Sequence, residues 1–465
     1  MALSRIWSAF VLIAVLVAAF KYFSGNGERQ IFSNMVIGKS GDTVQVREMS
    51  LQTTNPAIVT GLDTLSRVKD GKLFYKKDGE RIIVSRVQNA SGIIQTCKDA
   101  VDICLGLIGV LALFMGFMTI AERAGGVNLL SRWLGPFFSK LFPDIPKGHP
   151  AMGHMMMNFS ANLLGLDNAA TPFGIKSMES LQEINPDKTK ASNAQIMFLT
   201  LHAAGFNLIP VSVIAIRAAS GAKNATDIFL PCMMVTFAGT VAAMIIVSIK
   251  QRINLLQPVI LAWLLSITAI IAAFVFFLSK MDKATLENFS GSFGNGLLLF
   301  ILAAIVAGGV YKRINIFDAF IDGAKEGFGV AVRIIPYLVG MLVAISLLRT
   351  SGTFDYVIDG LKSFFVAIGA DTRFVDGLPT ALVRPFSGGA ARGMMVDTMT
   401  TFGADSFAGR LSSILQGCAD TTFYVVAVYF GAVGIKNTRY SIGVMLLADL
   451  AAIITAIALS YFFFG

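Results

Sequence analysis

Asn162-Leu163-Leu164-Gly165-Leu166-Asp167-Asn168-Ala169-Ala170-Thr171-Pro172-Phe173-Gly174 is a polar interruption in an otherwise apolar region of the chain. Pro172 has no N–H and cannot continue a helix cleanly. Gly165 and Gly174 let the backbone approach a neighbour closely. Asp167, Asn168 and Thr171 can answer backbone groups that a break leaves unpaired. At membrane depth such a break is tolerated only where it is buried in protein or lines a cavity. Paired breaks in two halves of a chain point to a transport site. The counterpart here is Leu382-Val383-Arg384-Pro385-Phe386-Ser387-Gly388-Gly389-Ala390. Pro172-Phe173 and Pro385-Phe386 are separated by the same spacing as Gly221-Ala222-Lys223-Asn224 and Gly434-Ile435-Lys436-Asn437. The order of element types around the two breaks also repeats, so the sequence reads as an internal duplication.

The whole chain fits that setting. Its 465 residues are 55% hydrophobic and 14% charged, with a mean hydropathy of +0.68. Soluble domains carry roughly 25% charged residues, so this is a polytopic membrane protein. The net charge of +9 matches basic residues at the cytoplasmic ends of membrane helices and does not require nucleic acid. Cys97, Cys104, Cys232 and Cys418 form no CxxC and lie in or beside apolar runs, as small core residues do. His149, His154 and His202 are too scattered to suggest a metal site, and no metal or cofactor is expected.

Working outward, residues 1–23 read as a transmembrane anchor. Residues 24–92 are polar and rich in Gly, Asn, Ser and Thr. Strand-like pieces at 43–49, 73–75 and 81–84, with a turn signal at Asp78-Gly79, suggest a small β-rich domain. Gly38-Lys39-Ser40 imitates the end of a phosphate loop, but Ser33 stands where that motif needs Gly. Residues 93–250 form one repeat. It holds a span at 101–120, an amphipathic helix at 127–141, the first break, and spans at 193–218 and 226–249. Residues 251–314 supply two linking spans. Residues 315–465 form the second repeat, with an interfacial helix at 314–329, a span at 330–349, an amphipathic stretch at 354–368, the second break, and spans at 408–432 and 440–463. Basic loops at 250–256 and 312–329 can both face the cytoplasm. The first repeat then starts from outside and the second from inside, an inverted topology, with residues 24–92 outside.

Chemistry-bearing residues cluster near the breaks. Asn168, Thr171, His202 and Asn207 belong to the first half; Arg384, Ser387, Asp420 and Thr421 belong to the second. Asn and Thr can also simply satisfy broken backbone, and a lone intramembrane His often just pairs with a neighbour. Ionisable groups inside a membrane are nevertheless functional candidates. A buried Arg requires compensation, and Asp420 is the expected partner of Arg384. Met155-Met156-Met157 reads as packing rather than a soft metal path. The sequence has no GxSxG, HExxH or complete Walker motif, so an enzyme is not expected, and neither is a self-powered pump.

Residues 162–178, Ala191-Ser192-Asn193 and Leu208-Ile209-Pro210 resemble spore maturation protein A. Arg333-Ile334-Ile335-Pro336, Leu382–388, Asp405-Ser406-Phe407-Ala408-Gly409-Arg410, 421–434 and Leu447-Ala448-Asp449 resemble spore maturation protein B. The chain resembles a fusion of the two over roughly 95–250 and 315–465. The resemblance implies two gate, or nucleoside-recognition, domains, of the kind also found in concentrative nucleoside carriers and the ferrous iron transport protein B family. It implies membrane transport without naming a solute. The chain departs from the iron family in having no GTPase domain, and from separate A and B proteins in its anchor, the 24–92 insertion and the linking spans.

The expected molecule is an all-α multi-pass protein of the bacterial inner membrane, with two inverted gate repeats containing broken helices and a small β-rich extracytoplasmic insertion. Its expected function is secondary transport or facilitated passage of a small polar or ionic solute. The alternative is a non-transporting scaffold or regulator of envelope or spore maturation that acts through a partner. The expected partners are the lipid bilayer and the solute, with a homo-oligomer left open and no nucleic acid.

Overall fold

The structure is a computed structural model that describes residues 2–24, 30–50, 68–70, 73–78, 81–165, 167–281 and 283–465. Among these residues, seven helical stretches are long and apolar enough to cross a membrane. They are Ile93–Arg123, Phe229–Gln251, Pro258–Leu278, Ser292–Tyr311, Ile316–Thr350, Phe407–Ala432 and Ser441–Phe464. Pro258–Leu278 leaves Leu265, Ile270, Phe276 and Phe277 exposed. So large an apolar surface is stable against hydrocarbon and not against water. The chain is a multi-pass membrane protein.

The chain opens with α1 (Ala2–Phe23) and α2 (Ile31–Ile37). Strands β1 (Gly38–Ser50), β2 (Val68–Asp70), β3 (Leu73–Asp78) and β4 (Arg81–Ser91) follow, antiparallel in the order β1-β4-β3-β2. Asp78 pairs with Arg81 at the end of the β3–β4 ladder. Next come α3 (Ile93–Arg123), α4 (Gly126–Leu141), α5 (Pro150–Leu163), α6 (Asp167–Glu183), α7 (Asn193–Ala204), α8 (Val211–Ala219) and α9 (Phe229–Gln251). The linking helices are α10 (Pro258–Leu278) and α11 (Lys283–Tyr311). The second half holds α12 (Ile316–Thr350), α13 (Thr353–Ala367), α14 (Leu378–Val383), α15 (Gly388–Phe402), α16 (Phe407–Gly417), α17 (Thr422–Ala432) and α18 (Ser441–Phe464).

Local chemistry sets the helix starts. Ser192 caps α7 in a capping box: its hydroxyl accepts from Gln195 N at 3.2 Å, and Gln195 Oε1 accepts from Ser192 N at 2.8 Å. Ser406 Oγ accepts from Gly409 N at 3.0 Å and starts α16. Ser387 Oγ accepts from Ala390 N at 3.1 Å and starts α15.

Two spans expected to be continuous are each two helices. Residues 193–218 break at 205–210, between α7 and α8, and residues 408–432 break at 418–421, between α16 and α17. Gly205, at φ +41°, turns the chain in the left-handed region, and Pro210 precedes α8. The opposite correction applies at 314–349. The expected interfacial helix and span are one 35-residue helix, α12. At 1.5 Å per residue it runs roughly 50 Å, beyond a hydrocarbon core of about 30 Å, so its charged first third can extend past the apolar zone. There Asp322 pairs with Arg123 at 2.8 Å, both half-exposed.

The halves are tied together by packing. A Cβ on Gly327 of α12 would lie 2.7 Å from Leu111 O and 2.8 Å from Ala112 Cα of α3. These two long helices therefore touch backbone to backbone. α1 lies along α12, with Trp7 Nε1 donating to Gly340 O at 2.8 Å and Lys21 Nζ to Ser351 O at 2.9 Å.

Candidate functional site

Four interrupted helices, two from each half, meet at the site. The breaks lie at 164–165 between α5 and α6, 205–210 between α7 and α8, 384–387 between α14 and α15, and 418–421 between α16 and α17. The first break follows the end of α5 with Gly165 at φ +72°, upstream of Pro172, which sits inside α6. Proline was the sequence signal, but the left-handed glycine makes the turn.

The freed backbone groups are answered by one another. Leu208 N donates to Leu163 O at 3.0 Å and joins the two breaks of the first half. Phe423 N donates to Pro385 O at 3.0 Å and does the same in the second half. Asp420 N donates to Ala203 O at 2.6 Å and links the halves. This is the internal satisfaction that broken backbone at membrane depth requires.

Around these breaks lies a cavity of about 1070 Å³, at the upper end of small-molecule sites. Thr171, His202, Asn207, Arg384, Ser387, Asp420 and Thr421 all line it. Asn168 falls in the first turn of α6, and its side chain lies outside the described residues.

His202 is buried, 4% exposed. Its Nδ1 accepts from Asn162 Nδ2 at 2.8 Å or donates to Asn158 Oδ1 at 3.0 Å, according to its tautomer. Asn158 Nδ2 in turn donates to Ala170 O at 2.6 Å at the start of α6. The imidazole meets the Tyr429 ring edge-on at 4.8 Å. Gly174 allows that approach from the other side, since a Cβ there would be 2.8 Å from Tyr429 Oη.

The expected Arg384–Asp420 ion pair does not form. Arg384 Nη2 instead donates to the Ala419 carbonyl, and Asp420 Oδ1 accepts from Thr421 N at 2.7 Å. The break between α16 and α17 leaves backbone carbonyls without helical partners, and the guanidinium reaches one of these. Asp449 also lies outside this pairing, accepting from Thr422 Oγ1 at 2.6 Å.

Among the described residues, Asn207 Oδ1, Arg384 Nε and Gln416 Oε1 are buried without a hydrogen-bond partner, and all three residues line the cavity. Buried polar atoms are nearly always paired, so three around one cavity mark a lining with unused binding capacity. The sequence reading missed Gln416, Asn158 and Asn162. Asn158 and Asn162 stand one helical turn apart on α5, and that i, i+4 spacing was the signal for them.

The fold and the cavity define a multi-pass membrane protein whose two halves close their interrupted helices around one polar chamber. The family described as Gate, nucleoside recognition, matches residues 104–220 and 331–436, one segment in each half. Spore maturation protein B of Bacillus subtilis (strain 168) is 47% identical over 169 residues, 36% of this chain and 93% of that protein. Spore maturation protein A of the same organism is 44% identical over 154 residues, 33% of this chain and 79% of that protein. The two matches cover different parts of the chain. The chain belongs to the spore maturation A/B branch of the Gate family, with an A-like and a B-like part in one polypeptide.

Proposed function

We propose that the chain is a secondary carrier or facilitator for a small polar or ionic solute in a bacterial inner membrane. The observation that carries this is the shared cavity: breaks from both halves line one chamber of about 1070 Å³. Discontinuous helices around a central site are a recurrent design of secondary transporters. In this reading the two repeats have inverted topology, the basic loops after α9 and α11 face the cytoplasm, and the segment carrying β1–β4 lies outside. Thr171, His202 and Asn207 form one wall of the solute site, facing Arg384, Ser387, Asp420 and Thr421, and Asn168, in the first turn of α6, is a further candidate. No step of the reading requires catalysis.

The test is solute uptake into proteoliposomes. Wild-type protein should accumulate or equilibrate a labelled solute, and Asn168→Ala and Arg384→Ala should abolish this while the solute-free protein still folds. Normal function of both variants in cells, with loss on deletion of residues 24–92, would instead identify a scaffold acting through a partner.

A further inference from the structure

Among the described residues, the cavity lining holds more arginines than carboxylates. Apart from His202 and tyrosines, its described ionisable side chains are Arg384, Arg392 and Asp420, two guanidiniums against one carboxyl group. The two guanidiniums converge on one point. A Cβ added to Gly388 would lie 2.9 Å from Thr421 Oγ1, 3.4 Å from Arg384 Nη1 and 3.9 Å from Arg392 Nη2. Gly388 is the first residue of α15, a helix of 15 residues. Its N–H groups and dipole add further positive potential at the same place. Guanidiniums do not deprotonate to relieve this crowding, and Asp420 does not form an ion pair with Arg384. Gln416 lies in the same chamber, 3% exposed, with its Oε1 unpartnered among the described residues.

We infer that the solute is a small hydroxylated oxyanion. Its carboxylate or phosphate group sits beside Gly388 between Arg384 and Arg392, and a hydroxyl reaches the Gln416 amide. The inference rests on reading the cavity as a solute site. Planar guanidiniums fit both carboxylate and phosphate oxygens. The missing side chain at Gly388 keeps a Cβ from crowding Thr421 Oγ1 and the Arg384 guanidinium, and the Thr421 hydroxyl supplies a third donor on the same side.

The test measures binding to the purified full chain by thermal stability at fixed ionic strength. Lactate and gluconate probe the carboxylate source, inorganic phosphate and glycerol 3-phosphate the phosphate source, and uridine a neutral solute. A ligand at a hundred times its dissociation constant should stabilise the protein strongly. The expected result is stabilisation by one of the two anion sets. Its dissociation constant should rise at least tenfold in Arg384→Gln, Arg392→Gln and Gly388→Ala. Arg384→Lys, which keeps the charge but not the fork, should lie between wild type and Arg384→Gln. The unliganded melting temperature of each variant is measured alongside, and the tenfold loss must appear in Arg384→Gln and Arg392→Gln as well as in Gly388→Ala, whose methyl would press on Thr421 Oγ1 at 2.9 Å and lower stability by itself. Stabilisation by uridine alone, anion binding indifferent to these substitutions, or no response to any anion overturns the inference. Flux is scored separately: anion binding without uptake keeps this site and overturns the carrier, whereas uridine uptake without anion binding does the reverse.

Discussion

Arg217 shows how differently two buried arginines can be used. It is fully buried and pairs with Asp227 at 2.8 Å and Asp405 at 3.4 Å. Its Nη1 donates to Ala404 O at 2.8 Å. Arg410 Nε also reaches Asp227, at 2.7 Å, so two arginines balance two aspartates across the halves. Such a network needs no ligand; Arg384, held by a carbonyl, has charge to spare. Removing one partner of a buried pair typically costs about 3–5 kcal/mol. Arg217→Met should therefore lower the melting temperature sharply, and the double variant Arg217→Met/Asp227→Asn should regain part of the loss. A double variant no more stable than the single would mean the charges are not coupled. Residue types near the breaks were legible in the sequence, and seven of the named site residues share the cavity wall. Pairings were not legible: Arg384 was matched to Asp420, a carboxylate in an apolar stretch, whereas a broken helix frees carbonyls that composition does not reveal.

At the scale of elements, the sequence showed the two breaks that carry a Pro-Phe pair and hid the other two. Gly205-Phe206-Asn207-Leu208-Ile209-Pro210 is apolar enough to pass for a span, and Gly417-Cys418-Ala419-Asp420 is short. Hydropathy averages over a turn of this length, whereas the glycine's left-handed φ that ends α7 is a property of one residue. The α3–α12 crossing was equally hidden, because Gly323 and Gly327 lie in a charged segment that reads as a surface helix. Their lack of side chains brings the two backbones together, as small residues do between membrane helices. Gly327→Ala should cost about 1–3 kcal/mol by overpacking, read as a lower melting temperature. Gly109→Ala on α3 meets nothing within 4 Å and should be neutral or stabilising by up to about 1 kcal/mol. Equal effects at both positions would show that helix propensity, not the crossing, governs them.

Across the whole molecule the duplication acts through exchanged loops. The loop before α7 meets the loop after α17: Lys436 N and Asn437 N donate to Thr189 O at 3.1 and 3.0 Å, and Ala191 N donates to Asn437 O at 3.0 Å. The loop before α16 meets the loop after α8: Lys223 N donates to Asp405 Oδ2 at 3.0 Å, beside the Arg217 network. Each half thus grips the other at the start of its second interrupted helix. The Lys-Asn pairs that first marked the repeat in the sequence sit in these gripping loops. If the chain is the carrier proposed above, it must open its chamber by changing how its halves meet, and these two latches would be the contacts released in turn. Lys190 and Asn437 form a parallel backbone bridge, close enough for cysteines to join there with little distortion. Lys190→Cys/Asn437→Cys in a Cys97→Ser background should cross-link on mild oxidation. If this latch opens during the cycle, the oxidised protein should bind solute but not carry it, and reduction should restore uptake in proteoliposomes. Undiminished uptake by the fully cross-linked protein would mean that this latch stays shut. Movement would then have to pass through the Arg217 side, where an equivalent cross-link between Lys223 and Asp405 positions should block it.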